Sequence, residues 1–145
     1  MDTPIGNVLD IFISNKLLKE RVNCKKILLD PKGILHDKYY STDIERSVLI
    51  TSIESYRLLQ SHNIIIEYGL LGENLLIDYN PYKLKPGTVL EIGTTLLEIS
   101  QYCTICNHLS SIDPKVPQLL KNDRGIFAKV IKSGKITRDA KISLR

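Results

Sequence analysis

Hydrophobic and polar positions alternate in short runs along most of the chain. The runs are rich in Val, Ile, Leu and Thr and are separated by Gly, Pro, Asn or Asp, which is the pattern of β-strands joined by turns. Many short strands at this spacing favour a barrel or a sandwich. The predicted strands are Val8–Ile13, Lys26–Leu29, Arg46–Ile50, Asn63–Ile66, Leu75–Tyr79, Val89–Ile92, Thr95–Ile99, Gly125–Ile131 and Lys141–Leu144.

Two segments have helical rather than strand periodicity. The stronger one runs from Ser52 to Gln60, with apolar residues three to four positions apart, and Thr51 and Glu54 have the spacing of a capping box. The shorter one is Pro117–Lys121, where the proline suits a first helical turn. Neither an internal repeat nor a linker interrupts the chain. We therefore predict a single, mainly β domain over residues 1–145 with one or two short helices.

Composition and charge narrow the range of functions. The chain has 145 residues, of which 43% are hydrophobic, and its 20 Lys and Arg against 16 Asp and Glu give a net charge of +4. This mild excess favours small anionic ligands and falls short of the clustered basic face of a nucleic-acid binder. No apolar run reaches the ~18 residues of a membrane span, and the N-terminus has no signal-peptide pattern. We expect a cytoplasmic protein that contacts neither membrane nor nucleic acid.

The two thiols of Cys103 and Cys106 stand three positions apart, directly after a predicted strand. Such a pair is half of a zinc site, a redox pair, or two thiols of which one is functional. A structural zinc site needs four ligands, and the remaining candidates, Cys24, His36 and His108, do not supply a second pair. The chain also lacks the βαβ setting of a thioredoxin-type pair. We expect no structural zinc, and reduced thiols in the cytoplasm.

A second unusual stretch is the segment from Gly69 to Leu75. Gly69 and Gly72 allow tight backbone geometry or close approach of a ligand, and Glu73 and Asn74 then offer hydrogen-bonding groups just before a strand. The segment is therefore either a ligand-binding loop or a turn whose polar residues hold the loop in place.

Three other charged or titratable residues are candidates for a site. Arg124 enters a predicted strand, where a guanidinium can hold a phosphate or carboxylate, although a solvated Arg paired with Asp123 is an equal alternative. His36 and Asp37 follow a glycine and have acid–base or ligand chemistry. The alternative for a lone loop histidine is a solvated side chain.

Taken in order, these segments resemble the MOSC family, named for the C-terminal domain of molybdenum cofactor sulfurases. The resemblance spans roughly residues 30–142. It rests on the following stretches in this order: Gly33 with Asp37-Lys38-Tyr39, Arg46-Ser47-Val48-Leu49, Gly69 to Leu75, Leu84 to Gly93, Leu97-Glu98-Ile99 followed by Cys106, and Arg124 to Ala128.

The resemblance implies a MOSC-type β-barrel and a functional thiol at Cys106. In the family this cysteine is proposed either to carry sulfur as a persulfide or to ligate molybdenum of a bound pterin cofactor. The implied partner is a pyridoxal-phosphate-dependent cysteine desulfurase, and the implied ligand is a small anionic cofactor. The residues expected around that ligand are Lys38, Arg46, Gly72, Glu73, Asn74 and Arg124.

The chain departs from the family pattern at three positions. His36 stands where relatives often have glycine, Ile105 stands where they often have proline before the functional cysteine, and Cys103 is additional. We expect Cys103 to be a small core residue, and the alternative is a thiol that resolves an oxidised or persulfidated Cys106. Two other functions compete with the sulfur or cofactor carrier: a molybdenum-dependent reductase of N-hydroxylated compounds, and a non-catalytic binding module.

Overall fold

The computed structural model describes residues 3–15, 21–103 and 112–145. Its strands and helices account for most of this part of the chain. The strands are β1 Pro4–Ser14, β2 Arg21–Cys24, β3 Lys26–Asp30, β4 Gly33–Ile34, β5 Val48–Ser52, β6 Leu75–Ile77, β7 Val89–Ile92, β8 Thr95–Tyr102, β9 Ile126–Lys132, β10 Gly134–Thr137 and β11 Lys141–Leu144; the helices are α1 Ile53–Ser61 and α2 Val116–Leu119, and a 3-10 turn covers Ile44–Arg46.

Seven strands form a closed barrel in the order β11-β7-β8-β9-β5-β6-β1. Closure comes from the pairing of β11 with β1. The β5–β6 pair is parallel and the other barrel pairs are antiparallel. Strand β2 extends the sheet beyond β1, and β10, β3 and β4 form a separate three-stranded sheet. The predicted mainly β barrel with two short helices is confirmed.

Strand β1 closes the barrel because it is long enough to serve three partners in turn. Its first residues pair with β11, its middle with β6 and its last residues with β2. The register shifts between Pro4 and Gly6 and again between Val8 and Asp10. Such bulges bend a strand and increase its local twist, which lets one strand pass from one partner to the next.

Two large apolar clusters, out of three in the described part of the chain, stabilise this arrangement. The larger one fills the barrel with alternate side chains of its strands, including the fully buried Val8, Ile50, Leu75 and Leu97. The smaller one lies between the barrel wall and the two helices and includes Leu76, the only β6 residue in it. Strand β6 therefore serves both clusters, because successive side chains of a strand point to opposite faces.

The predicted helix from Ser52 to Gln60 is confirmed with its start and end each shifted by one residue. Its N-cap differs from the capping-box expectation. The side chain of Ser52 caps the helix by accepting a 3.1 Å hydrogen bond from the backbone N–H of Glu54. Thr51 belongs to β5, and its hydroxyl donates to the backbone carbonyl of Arg124.

The predicted strand Asn63–Ile66 is wrong. Asn63 has a φ of 62°, which ends the helix, and the N–H of Ile64 bonds back to the Leu59 carbonyl at 2.9 Å. Ile64 packs on the smaller cluster while Ile65 is 81% exposed. The β-branched run indicated a strand locally, but the segment leads back from a helix and pairs with no strand in the described part of the chain.

Three short strands, β2, β4 and β10, were not predicted. They are two to four residues long, too short for alternation to be recognised. In the part of the chain that the structure describes, no helix is long and apolar enough to cross a membrane.

Candidate functional site

A cavity of about 540 Å³ opens where five neighbouring barrel strands, β8, β9, β5, β6 and β1, begin or end. Its walls come from the end of β1, the start of β2, the 3-10 turn, the glycine loop before β6, and the segments that follow β8 and precede β9. The lining residues are Ser14, Arg21, Tyr39, Thr42, Asp43, Arg46, Ser47, Leu49, Gly69, Leu70, Gly72, Asn74, Cys103, Arg124 and Phe127.

The charge of this lining is positive. Among the lining residues that the structure describes, Arg21, Arg46 and Arg124 contribute three guanidinium groups against the single carboxylate of Asp43. The Asp43 side chain is itself engaged, because it accepts the N–H of Glu45 at 3.1 Å as the cap of the 3-10 turn. A cavity with this balance attracts anions, and guanidinium groups match the geometry of phosphate and carboxylate oxygens.

Arg124 is the most deeply buried of the three arginines, with 5% of its surface exposed. One terminal nitrogen donates to the Leu71 carbonyl at 3.2 Å, and the other donates to the sulfur of Cys103. Its Nε is buried and has no hydrogen-bond partner among the described residues. A buried charged donor without a partner costs free energy, so this atom is a candidate donor to a ligand.

The backbone of Arg124 is held from two sides. Its carbonyl accepts a 3.0 Å hydrogen bond from the Thr51 hydroxyl. The preceding residue, Asp123, accepts at its carbonyl from the hydroxyl of Ser55, which is also bonded to the Tyr82 hydroxyl at 2.6 Å. Strand β5 and helix α1 therefore fix the segment that presents the guanidinium.

Arg21 lies on the short strand β2 and is tied to two neighbouring segments. It donates to the hydroxyl of Ser14 at 2.7 Å and to the backbone carbonyl of Glu73, while its Nε has no partner in the described part of the chain. Burial lowers the pKa of Arg21, and the negative charge of Glu73 opposes that shift. Sequence reasoning missed Arg21, because nothing in its local sequence indicates that β1 and Glu73 will lie beside it.

Arg46 contributes its charge near the mouth of the cavity. Its guanidinium lies over the Phe127 ring, 4.6 Å from the ring centre, a cation–π geometry that holds the group in place without using its hydrogen-bond donors. Arg46 belongs to the 3-10 turn rather than to β5, so the predicted strand start at this residue is wrong.

The loop between Gly69 and Asn74 is built around a buried carboxyl. Glu73 is fully buried; its Oε2 accepts from the Tyr56 hydroxyl at 2.5 Å and from the N–H of Gly69 at 3.0 Å. Burial raises the pKa of Glu73, opposed by the hydrogen bonds from Tyr56 and Gly69 and the charge of Arg21. Burial also raises the pKa of the Tyr56 hydroxyl, which contacts the N–H groups of Gly69 and Leu71. Glu73 thus lies beneath the cavity and shapes it.

Asn74 lines the cavity, but its side chain is used to join strands. Its Oδ1 accepts the N–H of Leu49 at 2.9 Å, and its Nδ2 donates to the Phe12 carbonyl at 3.1 Å. Its own backbone bonds the same two residues. Asn74 therefore locks the start of β6 between β5 and β1.

The glycine loop also uses its own backbone amides. The N–H of Gly72 donates to the Gly69 carbonyl, and those of Gly69 and Leu71 face the Tyr56 hydroxyl. Gly69 and Gly72 both have φ near 90°, which side chains disfavour. In this structure the side chain of Asn74 and these loop amides hold the loop and the strands in place, and the guanidinium groups of Arg21 and Arg124 each keep a nitrogen without a partner among the described residues.

The remaining candidates from the sequence lie elsewhere. Lys38 is exposed beside Tyr39, 5.5 Å from that ring, and does not line the cavity. Asp37 is buried and accepts from the N–H groups of Ser14 and Tyr39, so it joins the loop to β1. His36 is exposed with a φ of 72°, which explains why glycine suits this position.

Cys106 and His108 lie outside the described residues. Cys103, three positions earlier, lines the cavity. Across residues 3–15, 21–103 and 112–145, no three His, Cys, Asp or Glu side chains are grouped so as to hold a metal ion.

Fold and cavity together define a small β-barrel protein with a buried, arginine-lined site. A family model for the MOSC domain matches residues 19–143, so the chain belongs to the MOSC domain family. No curated protein matches the sequence.

Several solved structures share this fold. The YuaD protein of Bacillus subtilis superposes with a TM-score of 0.79 at 16% identity, covering 99% of this chain and 98% of its own. YiiM of Escherichia coli gives 0.74 at 21% identity, covering 98% of this chain and 70% of its own, and YiiM of Geobacillus stearothermophilus gives 0.74 at 15%, covering 97% and 75%. At these identities the likeness establishes the fold.

Proposed function

We propose that the cavity binds an anionic molybdenum–pterin cofactor and that the thiol of Cys106 handles its sulfur or ligates its metal. The observation that carries the proposal is Arg124: this residue is buried, it lines the cavity, and its Nε has no acceptor among the described residues. Membership of the MOSC family, which is associated with this cofactor, supports the choice of anion.

The lining suits such a ligand in size and in chemistry. A volume of about 540 Å³ lies within the usual range for small-molecule sites. Arg21, Arg46 and Arg124 would hold the phosphate and other anionic groups, and the rings of Tyr39 and Phe127 offer apolar surface to a flat heterocycle. When bound, the cofactor supplies a metal centre for two-electron oxygen-atom chemistry. The chain itself binds, orients and shields the ligand.

The sulfur-carrying role rests on a reaction of the thiolate of Cys106. The thiolate attacks the terminal sulfur of a persulfide on a pyridoxal-phosphate-dependent cysteine desulfurase, the partner included in this proposal. The donor S–S bond breaks, its electron pair leaves with the desulfurase thiolate, and a new S–S bond forms on Cys106. No net oxidation occurs, so no further reactant is needed. Reduced thiols of this kind fit a cytoplasmic location.

Anaerobic purification, followed by intact mass and molybdenum analysis, tests the proposal. Wild-type protein incubated with a desulfurase and cysteine is expected to gain the mass of one or more sulfur atoms, or to carry molybdenum after incubation with released cofactor. Cys106→Ser should reduce the sulfur or the metal, whereas Cys24→Ser, the matched control, should not. If neither sulfur nor molybdenum is retained by the wild type, the chain is a non-catalytic binding module instead.

A further inference from the structure

Cys103 has two kinds of surroundings. It is 6% exposed and packs with Leu49 and Phe127, as a core residue would. Its N–H donates to the Gly125 carbonyl at 3.0 Å, which fixes its backbone beside β9. Yet the residue also lines the cavity that carries Arg21, Arg46 and Arg124, here called the arginine cavity. A core role therefore does not account for all of its surroundings.

A second cavity of about 280 Å³ meets Cys103 as well. Its other lining residues are Tyr82, Tyr102, Lys121 and Asn122. The residue thus borders two cavities, of which the smaller carries a lysine and the larger carries three arginines. A small anionic reagent can be attracted to either one.

The sulfur of Cys103 has a cationic partner. A terminal nitrogen of Arg124 donates to it, and a hydrogen bond from a guanidinium favours negative charge on the acceptor. The Nε of the same arginine is buried and has no partner in the described part of the chain. Cys103 and Arg124 therefore place a nucleophilic sulfur beside the Nε donor, which can bind an anionic group attached to that sulfur.

We propose that Cys103 is a second sulfur-carrying thiol, which accepts a sulfane sulfur inside the arginine cavity. This inference rests on the sulfur-handling part of the proposed function. The Cys103 thiolate attacks the terminal sulfur of a small-molecule persulfide that enters the cavity. The donor S–S bond breaks, its electron pair leaves as the donor thiolate, and the new S–S bond forms on Cys103 with the terminal proton retained. The outer sulfur then loses that proton to solvent, and Arg124 holds the resulting persulfide anion.

Persulfide loading in a Cys24→Ser background tests the assignment. The chain is treated anaerobically with a cysteine desulfurase plus cysteine, or with inorganic polysulfide, and the sulfur is located by peptide mass spectrometry without reductant. We expect Cys106→Ser to retain sulfur on Cys103, and the Cys103→Ser/Cys106→Ser double variant to retain none. If the parent chain loads sulfur but Cys106→Ser does not, the inference is overturned while the proposed function stands. If the parent chain loads none, the sulfur part of the proposed function fails with it.

Alkylation of the wild-type chain gives a test that needs no sulfur transfer and no cysteine variant. The anionic reagent iodoacetate and the neutral iodoacetamide are compared at each thiol by quantitative peptide mapping. Cys103 should favour iodoacetate, and Arg124→Met should lower its iodoacetate rate by about tenfold, the effect of losing a hydrogen bond to a charged group. The control is Arg138→Met, because the charge of Arg138 acts on a different thiol: it lowers the pKa of Cys24, against the effect of burial. An equal response of Cys103 to both arginine variants would overturn the inference.

Discussion

Replacing Asn74 by alanine should destabilise the barrel where the cavity meets its wall. The change removes the acceptor for the Leu49 N–H and the donor to the Phe12 carbonyl, at 2.9 and 3.1 Å. A buried polar group left without its partner costs about 1–3 kcal/mol, so two such groups cost about 2–6 kcal/mol. Because Asn74 lines the cavity, water can reach part of the gap, and we expect the lower half of this range.

The variant Asn74→Asp separates the two hydrogen bonds. Aspartate keeps an acceptor for the N–H of Leu49 but at neutral pH places a carboxylate oxygen against the Phe12 carbonyl. The pKa of this aspartate should be raised in the folded state. The stability deficit of Asn74→Asp relative to wild type should therefore shrink as pH falls towards the ordinary range of aspartate, because the protonated carboxyl can then donate to the Phe12 carbonyl. Stability lost by Asn74→Asp at neutral pH should thus return in acid.

Urea unfolding followed by circular dichroism measures both effects, provided that the variants and the wild type have equal m-values. Asn122→Ala is the control, because Asn122 is exposed and exposed substitutions usually change stability by under ~0.5 kcal/mol. A loss below ~1 kcal/mol for Asn74→Ala would refute the role assigned to this side chain. So would an Asn74→Asp deficit that is independent of pH.

Three further predictions concern the loops around the cavity. Glu73 has a raised pKa in the folded state, so wild-type stability should fall as pH rises from the ordinary range of glutamate through that raised pKa. In Glu73→Gln the urea midpoint should depend less on pH, and a pH profile parallel to that of the wild type would contradict this. Tyr56→Phe should cost about 1–3 kcal/mol, since the Glu73 carboxylate and the Gly69 N–H lose a partner, and an unchanged urea midpoint would argue against the network. His36→Gly should stabilise the protein by about 1 kcal/mol by relieving the positive φ, and a loss of stability on thermal unfolding would show that the histidine ring makes a compensating contact.

Much of the barrel could be predicted from local sequence because its strands are short apolar runs, rich in Val, Ile, Leu and Thr, between turn residues. Val89–Ile92 and Lys141–Leu144 have the predicted bounds, since each packs one face on the core. The strand prediction for Asn63–Ile66 was wrong because β-branched residues also suit an extended loop that follows a helix. Sequence pattern reports which residues prefer a strand but not whether another strand lies beside them.

The site was harder to predict than the fold because its chemistry depends on contacts between distant segments. Arg124 was a candidate from its place at a strand entrance, yet the alternative of a solvated side chain was equal until its burial was known. Arg21 gave no local signal, since its partners Ser14 and Glu73 come from other segments. Gly69 and Gly72 were recognised as unusual from the sequence. That Glu73 holds this loop from beneath the cavity, rather than facing a ligand, follows only from its burial.

Binding of the released molybdenum–pterin cofactor tests the central claim most directly. Anaerobic calorimetric titration, with molybdenum analysis of the complex after gel filtration, compares the wild type with Arg124→Met and with Arg57→Met, a charge-matched control on the exposed face of α1. We expect stoichiometric binding by the wild type and by Arg57→Met, and a loss of about tenfold or more in affinity for Arg124→Met. Equal affinity for all three chains, or no binding by any, would contradict the account.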